Sequence, residues 1–596
     1  MLNTLALGAT LIASANAAHL TPEAAKIWTE VGRANPMELK GFTVGMPMKD
    51  FPLLERTLDE VSNPKSKRYG QWLSKEEADA IAATPENIAA EVKKWATSTG
   101  AHCERKPEAF SCTGTVKSIE RLLNGELSTY VNKQNGEKII RTSMNKPGSI
   151  PTSLAGKVTV LTGLTQLPLG DYRAGKMRPF ASYTAGADYS IVPETLNKLY
   201  QHEGADESAN SQSGPIEFQN YPAILRSDND AFATSVGISK WTIPANQTIG
   251  TFAPQPAAES ALDEQYLVAM SPLASKWYWT VADWQFEFAN QVLSMTNAQV
   301  PSVMSISYAW YELDQCDISP GVAPCTGVPV PAGSAAFVSA VNQLFAKIGA
   351  RGISLLSASG DSGAHGRTDS GCTDPKTRPD YPAASPYVTA VGATELSGGT
   401  TGTAFKAPIC KSTLKCADGG TEVVASRKTI SFFSSGGGFS TLTPQPAWQK
   451  AVVAKYLASG AFLPGPNDFN KSNYAFPVLS ALGHNYYVEI GGAVQAVDGT
   501  SAATPVVSGL ITALNGWRIA NGKPLLGYLN PLLYQIYDTN PAAFNDVTSG
   551  DNACTEGACP CPAKTGFGAA VGYDAVTGLG TPNYDTIKAT ITAMGI

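Results

Sequence analysis

Short apolar runs alternate with amphipathic stretches over the last two thirds of the chain. Residues 303–308 and 352–357 are apolar and rich in β-formers, the pattern of buried strands. Between them Phe337, Val341, Leu344 and Ile348 recur at helical spacing. Strand, helix, strand predicts a parallel α/β sheet, whose active residues gather at the carboxyl ends of its strands, where the 357–363 loop falls. Two more segments read as helix: residues 259–267, and a run carrying Val506, Val507, Leu510, Ile511 and Leu514. Upstream, residues 75–83 are helix-like and residues 166–188 have little periodicity, the reading of a linker and processing zone.

The 596 residues exceed one ordinary domain, and a net charge of −6 excludes a strongly basic nucleic-acid binder. Charge is unevenly spread. Residues 19–188 hold 23 Lys/Arg against 19 Asp/Glu, a net of +4, which leaves −10 for the remainder. A basic segment ahead of an acidic one suits a propeptide docked on its enzyme, with acid-triggered release and autoprocessing expected; a permanently attached N-terminal domain is the alternative. The apolar run 5–13, followed by Ala15-Asn16-Ala17, predicts a signal peptide over residues 1–17. No later run is long and apolar enough to predict a membrane span.

Ten cysteines agree with an oxidising compartment. Cys103/Cys112, Cys316/Cys325 and Cys410/Cys416 read as local loop closures. Cys372, Cys554, Cys559 and Cys561 suit two bridges, one tying the Cys372 loop to the C-terminal tail; zinc at Cys559 and Cys561 is the alternative, with spacing that does not match common sites. Asn246 and Asn470 begin glycosylation sequons.

The most informative stretch is Asp498-Gly499-Thr500-Ser501-Ala502-Ala503-Thr504-Pro505. A tight turn delivers Ser501 to the start of a helix, where the positive end of the dipole favours a nucleophile. Pro505 reads as a first-turn residue. A helix-capping serine is the plainer reading, and the presence of a base decides between them. Only five histidines are present: His19, His102, His202, His365 and His484. None has the surroundings of a subtilisin histidine, although Asp361 with His484 and Ser501 forms a rival triad. Glu259 and Asp263, four residues apart, share a helix face and offer a carboxyl base. On a solvated helix the pair is merely repulsive.

Taken in order, Glu259-x-x-x-Asp263, Ser359-Gly360-Asp361-Ser362-Gly363 and Gly499-Thr500-Ser501-x-x-x-Pro505 resemble the sedolisin family of serine-carboxyl peptidases, which includes the tripeptidyl peptidases. Residues 303–308, 381–388, 434–440 and 530–534 extend the likeness in order from about residue 191. Residues 63–74 resemble the family's activation domain, a compact α+β unit. The resemblance implies a propeptide over 18–165, a linker over 166–188 and a subtilisin-like peptidase domain over 189–596. It implies Ser501 as nucleophile, Glu259 as general base, Asp263 as its partner, and a protonated Asp361 facing the oxyanion, hence chemistry in acid. Peptide or protein substrates and the chain's own propeptide, as intramolecular inhibitor, are the partners expected. A secreted, lysosomal or vacuolar location follows from the leader.

One calcium ion is implied too, on side chains of Asp546 and Asp574 and carbonyls of Val547, Ala570 and Gly572, since hard cations take several oxygens. Ala570 stands where relatives often have glycine. Ala309 and Val478 also depart from the family pattern, Ala309 beside the substrate-lining strand. The triple glycine 436–438 is followed by no Lys-Ser/Thr, so a tight turn near the cleft fits better than a phosphate loop. Exopeptidase and endopeptidase action are equally compatible with these residues, and a noncatalytic secreted relative is the alternative from another class.

Overall fold

The computed structural model describes residues 25, 27–133, 136–165, 167, 176–179, 190–204, 206–315, 334–397, 408–410, 416–418 and 421–596, with backbone alone for 176–179, 408–410 and 416–418. The predicted leader, most of the linker and the Cys316/Cys325 pair lie outside them.

The N-terminal unit is α+β. Strands β1 (Trp28–Arg33), β2 (Leu39–Gly45), β3 (His102–Lys106), β4 (Ala109–Thr115), β5 (Leu127–Asn132), β6 (Lys138–Thr142) and β7 (Val160–Thr162) form two antiparallel sheets, ordered β1-β5-β6 and β3-β4-β2-β7. Helices α1 (Phe51–Ser62) and α2 (Lys75–Ala82) lie against the peptidase domain. Helix α2 starts where its sequence dictates: Ser74 accepts from the Glu77 amide and Glu77 accepts from the Ser74 amide, a reciprocal cap.

Docking is largely apolar. Leu54, Leu58, Leu73, Ala78 and Ala82 share one buried cluster with Ala346, Ala350 and Tyr528 of the peptidase domain. The Trp72 indole donates to the Leu525 carbonyl at 2.9 Å and lies flush against Gly352 and Gly527, where any Cβ would collide with the ring. Both glycines also have left-handed φ, so no other residue fits there easily. Buried Lys347 is held by Asp79 at 2.5 Å and by Glu108.

The linker contributes one visible element. Strand β8 (Lys176–Pro179) runs antiparallel to the strand Ala493–Asp498, with Lys176 in register opposite Asp498. Residues 176–179, part of a stretch that reads as structureless, are thus ordered by a partner strand they meet only in the fold.

The peptidase domain is built on a nine-stranded sheet. Its principal strands are β9 (Gln212–Phe218), β10 (Thr248–Ile249), β11 (Tyr278–Val281), β12 (Val303–Ile306), β13 (Ser354–Ala358), β14 (Thr389–Ser397) and β15 (Thr421–Val424), ordered β10-β11-β9-β12-β13-β14-β15. All pair in parallel except β15, and β16 (Leu479–Leu482) adds to β14 in parallel.

Helices cover both faces. On one side lie α3 (Ala258–Met270) and α4 (Thr500–Ala520), packed with Val303, Leu356 and Val391. On the other lie α5 (Gln285–Ser294) and α6 (Ser334–Ala350), packed with Met304, Ile306 and Leu355. Consecutive strand residues therefore enter opposite cores, which is why these strands are continuously apolar. The predicted helix at 337–348 is the centre of α6.

Two bridges join the tail as the sequence suggests: Cys372–Cys561 and Cys554–Cys559, beside Cys103–Cys112 in the propeptide. Strands Pro408–Cys410 and Cys416–Asp418 are antiparallel, and their backbone register pairs Cys410 with Cys416.

Candidate active site

Glu259 opens α3, and Asp263 follows one turn later. Every residue from Glu259 to Met270 is buried, so this helix has no solvated face on which a repulsive carboxylate pair could be merely tolerated. Asp263 accepts from the Ser307 hydroxyl at 2.7 Å, Ser307 lying just past the carboxyl end of β12. Burial raises the Asp263 pKa well above the ordinary carboxylate range, with the neighbouring charges of Glu259 and Glu217 acting in the same direction. Such a pair retains a proton that either acid alone would give up.

Glu217 is a participant that sequence reading missed. It lies near the carboxyl end of β9, fully buried, and accepts from the Tyr308 hydroxyl at 2.6 Å. A glutamate inside Gln-Ser-Gly-Pro-Ile-Glu-Phe, an otherwise buried strand, is the signal that could have found it.

Ser501 stands at the start of α4, after Gly499 at φ 154° and ψ 163°, a region open essentially to glycine alone. Its Oγ is buried and makes no hydrogen bond among the described residues. Pro505 falls in the second turn of α4, not the first. Having no N–H, it leaves the Ser501 carbonyl without its helical donor. Helix α4 crosses α3 so closely that a Cβ on Gly509 would meet Met270 and the Leu267 carbonyl, and the serine-bearing and carboxyl-bearing helices pack together.

Asp361 follows the carboxyl end of β13, and Thr500 joins it to the Ser501 turn. The Thr500 amide and hydroxyl donate to Asp361 Oδ1 at 2.9 and 2.8 Å, while Oδ2 has no hydrogen bond among the described residues. Burial pushes the Asp361 pKa up to about 7 against the opposing charge of Arg367. The triple glycine packs against this turn. Gly436 donates to the Gly360 carbonyl at 2.7 Å, and a Cβ on Gly436 would collide with the Ser359 carbonyl.

The rival histidine is placed elsewhere. His484 Nδ1 lies 2.7 Å from Asp498 Oδ2, and Asp498 also accepts from the amides of Asn485 and Phe432. His202 pairs with Asn197 and packs on Tyr584. His365 lies near Cys372 and Cys561, but both sulfurs are spent in one disulfide and offer no thiolate to a metal. The same bridges remove the zinc alternative at Cys559 and Cys561.

The residues expected to hold calcium come together at one hydrogen bond. Gly572 donates its amide to Asp546 Oδ2 at 2.8 Å, which brings residues 570–574 against residue 546. Asp574 is fully buried and accepts from the amides of Ala570, Val576 and Thr577. Burial pushes its pKa up to about 7, and no basic side chain among the described residues offsets its charge. Asp546 held against residues 570–574, with neither Asp546 nor Asp574 in an ion pair among the described residues, fits a bound hard cation.

The propeptide-then-α/β architecture and a serine at a glycine turn define the zymogen of a subtilisin-like serine peptidase. Comparisons with known proteins agree. Residues 26–167 match the Pro-kumamolisin activation domain, and residues 283–521 match the Subtilase family. Physarolisin of Physarum polycephalum is 37% identical over 570 residues, covering 94% of this chain and 95% of that protein. Tripeptidyl-peptidase 1 of Homo sapiens is 30% identical over 585 residues, covering 95% and 93%. A Pseudomonas sedolisin, described as a serine-carboxyl proteinase, shares the fold at a TM-score of 0.51 and 23% identity, covering 69% of this chain and 100% of that one. The chain belongs to the sedolisin family of serine-carboxyl peptidases. Its activation domain is the intramolecular inhibitor of a peptidase.

Proposed function

We propose that this chain is an acid-active peptidase that cleaves peptide bonds through an acyl-enzyme on Ser501. The observation that carries the reading is the double donation from Thr500 to Asp361, which seats a carboxyl beside the nucleophile's turn. Ser501 Oγ attacks the carbonyl, Glu259 takes its proton and returns it to the leaving amine, and Asp263 orients Glu259 and shares its proton. With Oδ1 engaged by Thr500, Asp361 presents Oδ2, and its proton is the hydrogen-bond donor to the developing oxyanion. Either tripeptides are released from free N-termini or chains are cut internally.

The pH dependence has a definite sign. Asp361 can donate only while protonated, so hydrolysis falls as pH rises through about 7, the value to which burial brings it. Peptide hydrolysis by the activated enzyme, measured from pH 3 to 9 on substrates with free and blocked N-termini, is expected to peak below neutrality. Blocked peptides separate the two modes of cleavage. A rate that climbs through pH 7 would sink the mechanism.

Three carboxyls at the described docking interface do not act as an acid trigger. Glu108, Asp283 and Glu287 face the opposite unit, and burial raises all three. A carboxyl raised in the docked state adds stability as pH falls toward its free value, so these groups grip the propeptide more firmly in mild acid. Activation is therefore assigned to scission of the linker that carries β8. In the same pH series Ser501→Ala zymogen stays uncut; scission there would place the cutting agent elsewhere.

The leader-like N-terminus and the disulfides support a secretory route, to the outside or to a lysosome or vacuole. No helix among the described residues is long and apolar enough to cross a membrane.

We assign one calcium ion to Asp546, Asp574 and the carbonyls of Val547, Ala570 and Gly572; when bound it would neutralise the two carboxylates and brace the tail. Chelation is expected to lower Tm by about 3–8 °C, restored by Ca²⁺. Asp546→Ala should have that lowered Tm with or without chelator. A wild-type Tm indifferent to chelator overturns the assignment.

A further inference from the structure

Arg367 sits in the short turn Arg367–Asp369, with Nη2 3.8 Å from Asp361 Oδ2 and Nε 3.2 Å from Glu556 Oε1. Its side chain is 11% exposed, so water screens these charges little. Asp380, on the strand Asp380–Tyr381, is buried against Gly360, where a Cβ would collide with its Oδ2. The Arg367 guanidinium thus faces two carboxyls, Asp361 and Glu556, of which Asp361 is the one placed in the chemistry. Glu556 comes from far along the chain. It lies inside the loop closed by Cys554–Cys559 and anchored through Cys561 to Cys372, and Arg427 Nη1 donates to its backbone carbonyl at 2.6 Å. The cysteine-rich insert thus delivers a fixed countercharge to an arginine next to the oxyanion carboxyl.

We propose that Arg367 and Glu556 are positioning residues that set the upper pH limit of hydrolysis, by dividing one guanidinium between Asp361 and the disulfide-braced insert. The inference rests on the reading of Asp361 as a protonated donor. A guanidinium beside a carboxyl stabilises its anion and draws the proton off at lower pH, while a neighbouring carboxylate acts oppositely. Asp361 feels Arg367 in the first sense and Glu556 in the second. Asp380 feels Arg367, Asp361, Glu556 and Asp314, and burial holds it near 7 as well. On the adjoining turns, Asp369 lies 3.4 Å from His365, whose pKa burial lowers, Arg378 faces Asp374 at 3.3 Å, and Lys428 faces Asp551 at 2.9 Å.

The two substitutions should move the limit in opposite directions. In Arg367→Gln, Asp361 loses its attracting cation and keeps its proton to higher pH. In Glu556→Gln, Arg367 is left to Asp361, which ionises earlier. The test is kcat/KM against pH for activated wild type, Arg367→Gln, Arg367→Lys, Glu556→Gln and Asp361→Asn. The expected result is an alkaline limb about one pH unit higher in Arg367→Gln and about one lower in Glu556→Gln. Arg367→Lys should return toward wild type, and Asp361→Asn, whose amide donates at every pH, should have no limb near pH 7. Limbs that stay in place, or move the same way, while Asp361→Asn is without its limb, overturn the inference and leave the mechanism standing. A wild-type limb in Asp361→Asn would overturn both, and identify the Asp361 reading as the failure. Should Arg367→Gln not fold, a lowered limb in Glu556→Gln beside a near-wild-type limb in Arg367→Lys supports the inference, and an unmoved limb in Glu556→Gln overturns it.

Discussion

Ser501→Ala is expected to fold, to retain its propeptide, and to hydrolyse peptides about 10⁵- to 10⁶-fold more slowly than wild type. The two halves of this expectation have separate causes. The Ser501 hydroxyl is buried and makes no hydrogen bond among the described residues, so deleting it strands no partner and costs little stability. Its neighbours Ala502 and Ala503 show that this turn of α4 accommodates a methyl side chain within the buried core. The rate, by contrast, depends on a covalent intermediate that alanine cannot form. Hydrolysis measured after separate activation, alongside a melting curve, tests both halves. A variant that melts normally and still cleaves would remove Ser501 from the mechanism.

Glu259→Gln is expected to lower kcat about 10³- to 10⁴-fold while leaving Tm unchanged or higher. Glutamine has the shape of glutamate but cannot accept the Ser501 proton. It also removes one of two like charges from the wholly buried α3, where Glu259 helps to hold the Asp263 pKa up. A group kept for packing would lose stability on substitution; a catalytic base held at electrostatic cost loses rate instead. That opposition of rate and stability is the signature to look for. Activity that persists near neutral pH in this variant would move the role of base to another group, with His484 the first to examine, although its ring is turned to Asp498.

Local chemistry is what a chain displays without its fold. Residues 303–306 and 354–358 read as strands because both faces are apolar, and residues 337–348 as helix because apolar side chains recur at its period. Glycine at 499 and the carboxylates at helical spacing in α3 are equally local. The bland reading of that carboxylate pair failed for a tertiary reason: α3 is enclosed by the sheet and α4, so no outer face exists. Pro505 was displaced by one turn because α4 begins at Thr500, a boundary set by the Gly499 turn and not visible in apolar spacing.

Other parts of the site come from sequence separations that no local pattern spans. Glu217 and Tyr308 meet because β9 and β12 are neighbours in the sheet. Arg367 meets Glu556 because Cys372–Cys561 ties the tail to the region just past the 361–369 turn, and Cys554–Cys559 closes the loop that carries Glu556. Strand β8 forms because Ala493–Asp498 offers it an edge. By itself, then, the sequence determined the class of fold and the family and named the candidate site residues, since these rest on spacing, backbone freedom and side-chain type. Only the tertiary structure decided which charges share one desolvated space, because burial and proximity of distant groups, not their identity, set where protons reside.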